Sequence, residues 1–386
     1  MRKVRLFIFV LALFMIIPLS SCDLTLLLKD STKTQEESKT ETEKTKTDDK
    51  TETDDKTKTD SDEKEPDSNL EIDEYDLSIY LDDYQEKYGY LALANDLEHG
   101  ELMQSAYKDF YDASKALLLS KEDKEISTME TTQGSVNYLE VLQTDYFENQ
   151  DDIQYYTSAW SVFVSDNPIF YFLTNGVLTR SKVTTTTKKD SEGKITEQTD
   201  VTTYAFILVG NVNYVTFAAR DIINKKLINL FENTKDIALI ENDALKTKAI
   251  NDYLKENLTY AYKENTKIPE DSYWAHNILG LLDNKKGVCE CYSKSFKLLA
   301  DYYDITSIQI YGVTNTGEAH AWNNVLIDES WYGLDVTWND NEYSKDKYLL
   351  CSNTVMAKEH FPYNTAYGIT YQPSSPLLAT DDYQFE

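Results

Sequence analysis

Three short motifs in the last hundred residues carry side chains that can do chemistry together. In chain order they are Gly287-Val288-Cys289-Glu290-Cys291-Tyr292, then His320-Ala321-Trp322-Asn323, then Trp331-Tyr332-Gly333-Leu334-Asp335-Val336-Thr337-Trp338. A cysteine, a histidine and a carboxylate are the parts of a thiol triad: a nucleophile, a base that moves its proton, and a group that orients the base. Each residue alone has an ordinary reading, Cys289 as a small buried hydrophobe, His320 as a strand histidine, Asp335 as a turn carboxylate. The chemistry lies in their joint order. Cys291 stands two residues after Cys289, about 200° further round a helix, so the two thiols cannot face one site. The pair Cys289-x-Cys291 is also shorter than zinc pairs use, and no second pair follows. No metal and no cofactor is expected. His99 and His276 read as ordinary histidines, and His360 as structural.

The elements that must position these groups are legible nearby. Tyr292, Phe296, Leu299 and Tyr303 recur at helical spacing, so Cys289 opens a helix. At such a start, free backbone N–H groups and the positive end of the dipole favour a thiolate, and the Cys289 N–H can serve an oxyanion. The His320 run extends as a strand to Ile327, and the Asp335 run is a second strand. A two-residue Asp328-Glu329 loop would pair Asp335 with Trp322. His320 would then lie diagonally across, about 7–8 Å away at Cα, within reach of a carboxylate. Trp274, ahead of the nucleophile, and Trp322 are candidates for a substrate wall or an oxyanion donor.

With these residues in view, the chain resembles the bacterial form of the transglutaminase-like superfamily. The resemblance covers roughly residues 240–362. It takes in the lead-in segments Ala249 to Tyr260 and Tyr273 to Leu282, and the closing segment Tyr348-Leu349-Leu350-Cys351-Ser352-Asn353 with His360. More loosely, Asp166-Asn167-Pro168 resembles a turn found upstream in such proteins. The resemblance implies an α+β, papain-like core, with the nucleophile helix against an antiparallel sheet. It also implies a thioester intermediate, and Cys289, His320 and Asp335 as the triad. One departure is Cys291-Tyr292, where relatives usually read Gly-Tyr. The expected activity is that of a thiol acyltransferase or hydrolase on peptide or protein amides. Two other readings are a catalytically inactive binding module of the same fold and an anchored solute-binding lipoprotein. Neither needs an activated cysteine.

The rest of the chain places this centre outside a membrane. Arg2, Lys3 and Arg5 precede an apolar run from Leu6 to Leu19 that is too short for a comfortable membrane span. Leu19-Ser20-Ser21-Cys22 resembles the lipobox of bacterial lipoproteins, which implies cleavage before Cys22 and lipid on its sulfur, with two acyl chains for stable anchoring. Residues 29–69 hold no aliphatic or aromatic side chain, so they have nothing to bury and read as a flexible tether of roughly 35 Å mean span. The expected organisation is a leader at 1–21, a lipid-anchored tether at 22–72, a smaller α+β domain at 73–230 and a catalytic domain at 231–386. The 386 residues include 29 Tyr, 14 Phe and 5 Trp, enough for a sizeable core, and a net charge of −29 argues against nucleic acid as a partner. In the middle, Met103, Tyr107, Phe110 and Ala113 mark a helix. Val183 to Thr187, Ile195 to Val209 and Val212 to Ala218 read as strands of a meander. Ile222 to Phe231 reads as a helix, and Asn242 or Asp243 as the cap of another.

Overall fold

The computed structural model describes residues 3–5 and 75–385, apart from 82, 132–133, 342–343, 345 and 364–374. Most of the expected leader, Cys22 and the tether lie outside the described residues. The chain is a mixed helix-and-sheet protein with antiparallel sheets. Among the described residues no helix is long and apolar enough to cross a membrane.

The first half begins with α1 (Tyr88–Leu93) and α2 (Gly100–Leu119). Met103, Tyr107 and Phe110 are buried on one face of α2 and Ala113 is half-buried beside them, as their spacing dictates. Strands β1 (Ser127–Thr131) and β2 (Gly134–Gln143) follow, then α3 (Asp152–Asp166), β3 (Leu173–Lys189) and β4 (Ile195–Gly210). These strands form a sheet in the order β3-β4-β2-β1, with Lys3–Arg5 paired along the outer edge of β3 as a fifth strand. The expected third strand, Val212 to Ala218, is not one. Asn211 closes a turn by accepting the Asn213 N–H, and Thr216 caps the next helix by accepting the Ala219 N–H. Local side-chain capping outweighs the β-prone composition there. The sheet's remaining strands come instead from β1 and β2.

Helix α4 (Phe217–Thr234) leads to α5 (Asp243–Asn257), which Asn242 caps through the Leu245 N–H. Short β5 (Thr259–Tyr260) pairs in parallel with β6 (Lys286–Gly287) and fixes the approach to α6 (Cys289–Tyr302). Helix α6 packs on a four-stranded antiparallel sheet of β7 (Ser307–Thr314), β8 (Ala319–Ile327), β9 (Ser330–Leu334) and β10 (His360–Pro362), in the order β9-β8-β7-β10. Tyr292, Phe296, Leu299 and Tyr303 are all buried. One cluster of buried apolar side chains runs from Leu77 to Leu350, so the elements of both halves share a core.

Candidate active site

The nucleophile candidate sits where the backbone offers the most donors. Val288 is extended and supplies no capping side chain, and Cys289 is the first residue of α6. The Cys291 and Tyr292 N–H groups already bond the Val288 carbonyl, so the donors without an acceptor in the helix are those of its first two residues. Cys289 is 9% exposed. Its neighbour Cys291 is enclosed: a Cβ on Gly287 would lie 2.4 Å from both Cβ and Sγ of Cys291. Only glycine lets β6 run so close to the helix. Burial pushes the Cys291 thiol up to about 12, and the Cys351 thiol likewise to about 12. Both are the inert, core-filling kind of cysteine.

The β8–β9 hairpin delivers the other two groups. Asp328 and Glu329 adopt positive φ, 48° and 64°, as a two-residue hairpin loop of type I′ requires. Ser330 then pairs with Ile327 and Leu334 with Asn323, the register expected from parity. One residue further on, Asp335 leaves the strand to cap the turn Val336–Asn339, its Oδ1 accepting the Trp338 N–H at 3.0 Å. Its Oδ2 lies 2.7 Å from His320 Nε2. Cys289 acts on the His320 ring from nearby, and with Nε2 engaged, Nδ1 is the atom left to face the thiol. The structure thus brings Cys289, His320 and Asp335 together.

Charge and burial act oppositely here. Burial alone would depress the His320 imidazolium. The Asp335 carboxylate, together with negative charge on Cys289, outweighs it and raises the ring to about 10. Burial likewise works against the Asp335 charge, but His320 and His360 hold its carboxyl far below the usual range.

The two tryptophan candidates separate. Trp322 is 2% exposed and packs against both His320 and His360, at ring separations of 6.0 and 5.0 Å. It is a floor beneath the histidines and gives no face to a substrate, which corrects the expectation of a wall. Gly312, opposite His320 on β7, leaves its space, since a Cβ there would lie 2.6 Å from the Trp322 ring. Trp274 is half-buried in the turn Tyr273–His276 and packs with Ala275 and Val288, on the nucleophile's flank.

Several groups of the site escaped the sequence reading. Trp338 is half-buried and stacks on His320 at 5.2 Å. Tyr260 is raised first by burial and then by the negative charge of Cys289, and its strand pairs it with Gly287, two residues before the thiol. Glu290 accepts from Lys294 at 2.7 Å, lies 3.0 Å from His276 Nδ1, and accepts from Tyr311 at 3.1 Å. Burial opposes its charge, but Lys294 and His276 lower it to about 2. His360, read as structural, has its Nε2 2.9 Å from Asp335 Oδ2. The signal for Tyr260 and Trp338 was their place inside motifs already singled out. Nothing in the sequence ties His360 to Asp335.

His320, Asp335 and His360 are also the described residues whose ligand atoms cluster, all within 4.8 Å of one another. Their 2.7 and 2.9 Å separations are hydrogen-bond lengths. Ligands on a tetrahedral ion with bonds near 2.0 Å stand about 3.3 Å apart, so the cluster is closed on itself by hydrogen bonds.

Comparison with known proteins bears on the same region. Residues 234–336 match the model of the transglutaminase-like superfamily. Similar solved structures include a TGase, 19% identical with a TM-score of 0.27, over 40% of this chain and 43% of that one. Another is the periplasmic domain of TgpA from Pseudomonas aeruginosa, 10% identical with a TM-score of 0.25, over 62% of this chain and 95% of that one. The chain therefore spans less than half the length of that TGase. No curated protein sequence matches it. With the family match lying over the segment that holds Cys289, His320 and Asp335, the chain carries a domain of the transglutaminase-like superfamily at residues 234–336.

Proposed function

We propose that this chain is a cell-surface thiol enzyme that cleaves or exchanges amide bonds in peptides or proteins through a thioester on Cys289. The observation that carries the reading is the His320–Asp335 bond of 2.7 Å beside a cysteine at a helix start. The Cys289 thiolate attacks the amide carbonyl, and the Cys289 N–H at the start of α6 receives the oxyanion. His320 gives its proton to the departing amine, while Asp335 holds the ring and its charge. Water then hydrolyses the thioester, or a second amine takes the acyl group, and His320 regains its proton. The leader and Leu19-Ser20-Ser21-Cys22 support a lipid anchor on Cys22 and an extracytoplasmic site. A peptide and amine library incubated with the mature chain, with products read by mass, tests the activity. Hydrolysed or amine-exchanged products that disappear in Cys289→Ala are expected. A library left unchanged by the wild-type chain would contradict the proposal.

A further inference from the structure

Asp335 Oδ2 serves two histidines. His320 Nε2 lies 2.7 Å away and His360 Nε2 2.9 Å. They arrive from different strands, His320 on β8 and His360 on β10, with β7 between them. The His320 and His360 rings are 5.6 Å apart.

The surroundings of His360 do not themselves call for a histidine. Its ring sits among Trp322 at 5.0 Å, Trp338 at 4.5 Å and Tyr348 at 5.2 Å, a box that a phenyl ring would fill as well. Its Nδ1 is buried with no hydrogen-bond partner, a desolvation cost that a phenylalanine would avoid. What only the imidazole supplies is the Nε2–H bond into Asp335.

We propose that His360 is a positioning residue of the thiol centre: it fixes the Asp335 carboxylate and divides that carboxylate's accepting strength between two rings. The proposal rests on the thiol-enzyme reading of the same site. With His360 in place, Oδ1 is held by the Trp338 N–H and Oδ2 by both imidazoles, so the carboxylate cannot rotate away from His320. A carboxylate that already accepts a hydrogen bond stabilises a neighbouring cation less. His360 therefore limits how tightly Asp335 holds the His320 proton, which His320 must release to a leaving amine. Other charged or titratable groups facing this cluster are Cys289 and Tyr260 toward His320, and Glu359, with Lys347 and Tyr348 bound to it, toward His360.

The chain has four histidines, so single substitutions assign the imidazole resonances. The test follows the His320 resonance through a pH titration in the wild-type chain, His360→Phe and His360→Gln. The Phe variant keeps the aromatic box and removes the donor, while the Gln amide stands near the Nε2 position. The His320 midpoint is expected to rise by about half a unit or more in His360→Phe and to return toward wild type in His360→Gln. With a peptide substrate, kcat should fall about ten- to a hundredfold in the Phe variant with KM little changed. If His360→Phe does not fold, His360→Asn gives the same reading, since its shorter amide falls short of Asp335. A midpoint that stays put or falls in the variant lacking the donor, or a Gln variant that shifts as far as that variant, would overturn the proposal. The titration needs no substrate, so it separates failure here from failure of the amide reading.

Discussion

Asp335 accepts three hydrogen bonds in a space closed to solvent, and the charge it keeps there sets the behaviour of His320. With the His320 ring raised to about 10, the alkaline limb of kcat/KM should lie well above the ordinary histidine value of about 6.5. In Asp335→Asn that limb should drop toward the ordinary value, and turnover should fall on the order of 10³-fold or more. A limb unmoved by the substitution would break the link between the two residues. The same shift bears on stability. A raised folded-state pKa stabilises fully below the unfolded value and loses that contribution as pH rises through the folded one. Denaturant midpoints should therefore decline between about pH 6.5 and 10 in the wild-type chain, and less so in His320→Gln. The meeting of His320 and Asp335 was legible because each sits in a motif whose neighbours fix its local structure. His360 was not, because its role depends on which sheet edge the last strand joins, and Phe361 and Pro362 beside it leave that open.

Helix α6 carries a buried polar stripe along one side: Glu290, Ser293, Lys294 and Lys297 are buried, and Asp301 is half-buried at its far end. Gln309 donates to Ser293 Oγ and Asn323 to the Ser293 carbonyl. At the lower end the partners come from the first half of the chain. Lys87, preceding α1, reaches Asp301 at 2.8 Å and the Asp166 carbonyl at 3.1 Å. Tyr107 on α2 bonds the Asp166 carboxylate. Burial raises Asp166, against the pull of Lys297 and Lys87. Replacing Lys87 with Met should cost about 1–3 kcal/mol in urea unfolding, because it strands buried acceptors. Lys188→Met, at the exposed Lys188–Glu197 pair, should stay within about 0.5 kcal/mol. Equal costs at the two sites would show that Lys87 does not lock the halves together. At this scale the hairpin register was readable once the loop was taken as Asp328-Glu329, because side-chain parity then sets the pairing. Val212 to Ala218 misled, because its Val, Tyr and Thr content reads as strand while Asn211 and Thr216 form turn and cap. The buried charges on α6 were hidden as well, since Lys and Asp four residues apart look like a solvated helix face.

As a whole, the molecule sets a thiol centre on a core shared by both halves, behind a strongly acidic chain with a net charge of −29. If Cys22 carries the lipid, Cys22→Ala should remove lipid labelling and shift the protein from the membrane fraction, leaving Cys289 chemistry unchanged in the released chain. Unchanged labelling would rule out that anchor. The papain-like, transglutaminase-like core was legible from three motifs. How the first half meets it was not, because single-sequence patterns mark buried faces without saying which faces meet. The most direct measurement of the central claim is limited iodoacetamide alkylation near neutral pH, followed by peptide mapping. Cys289, Cys291 and Cys351 are all free thiols, so the reagent can choose among them. Cys289 is expected to react first and faster than an ordinary thiol, while Cys291 and Cys351, buried and pushed up to about 12, remain unmodified. Cys291 or Cys351 labelled ahead of Cys289, or a Cys289 no faster than a free thiol, would contradict the account.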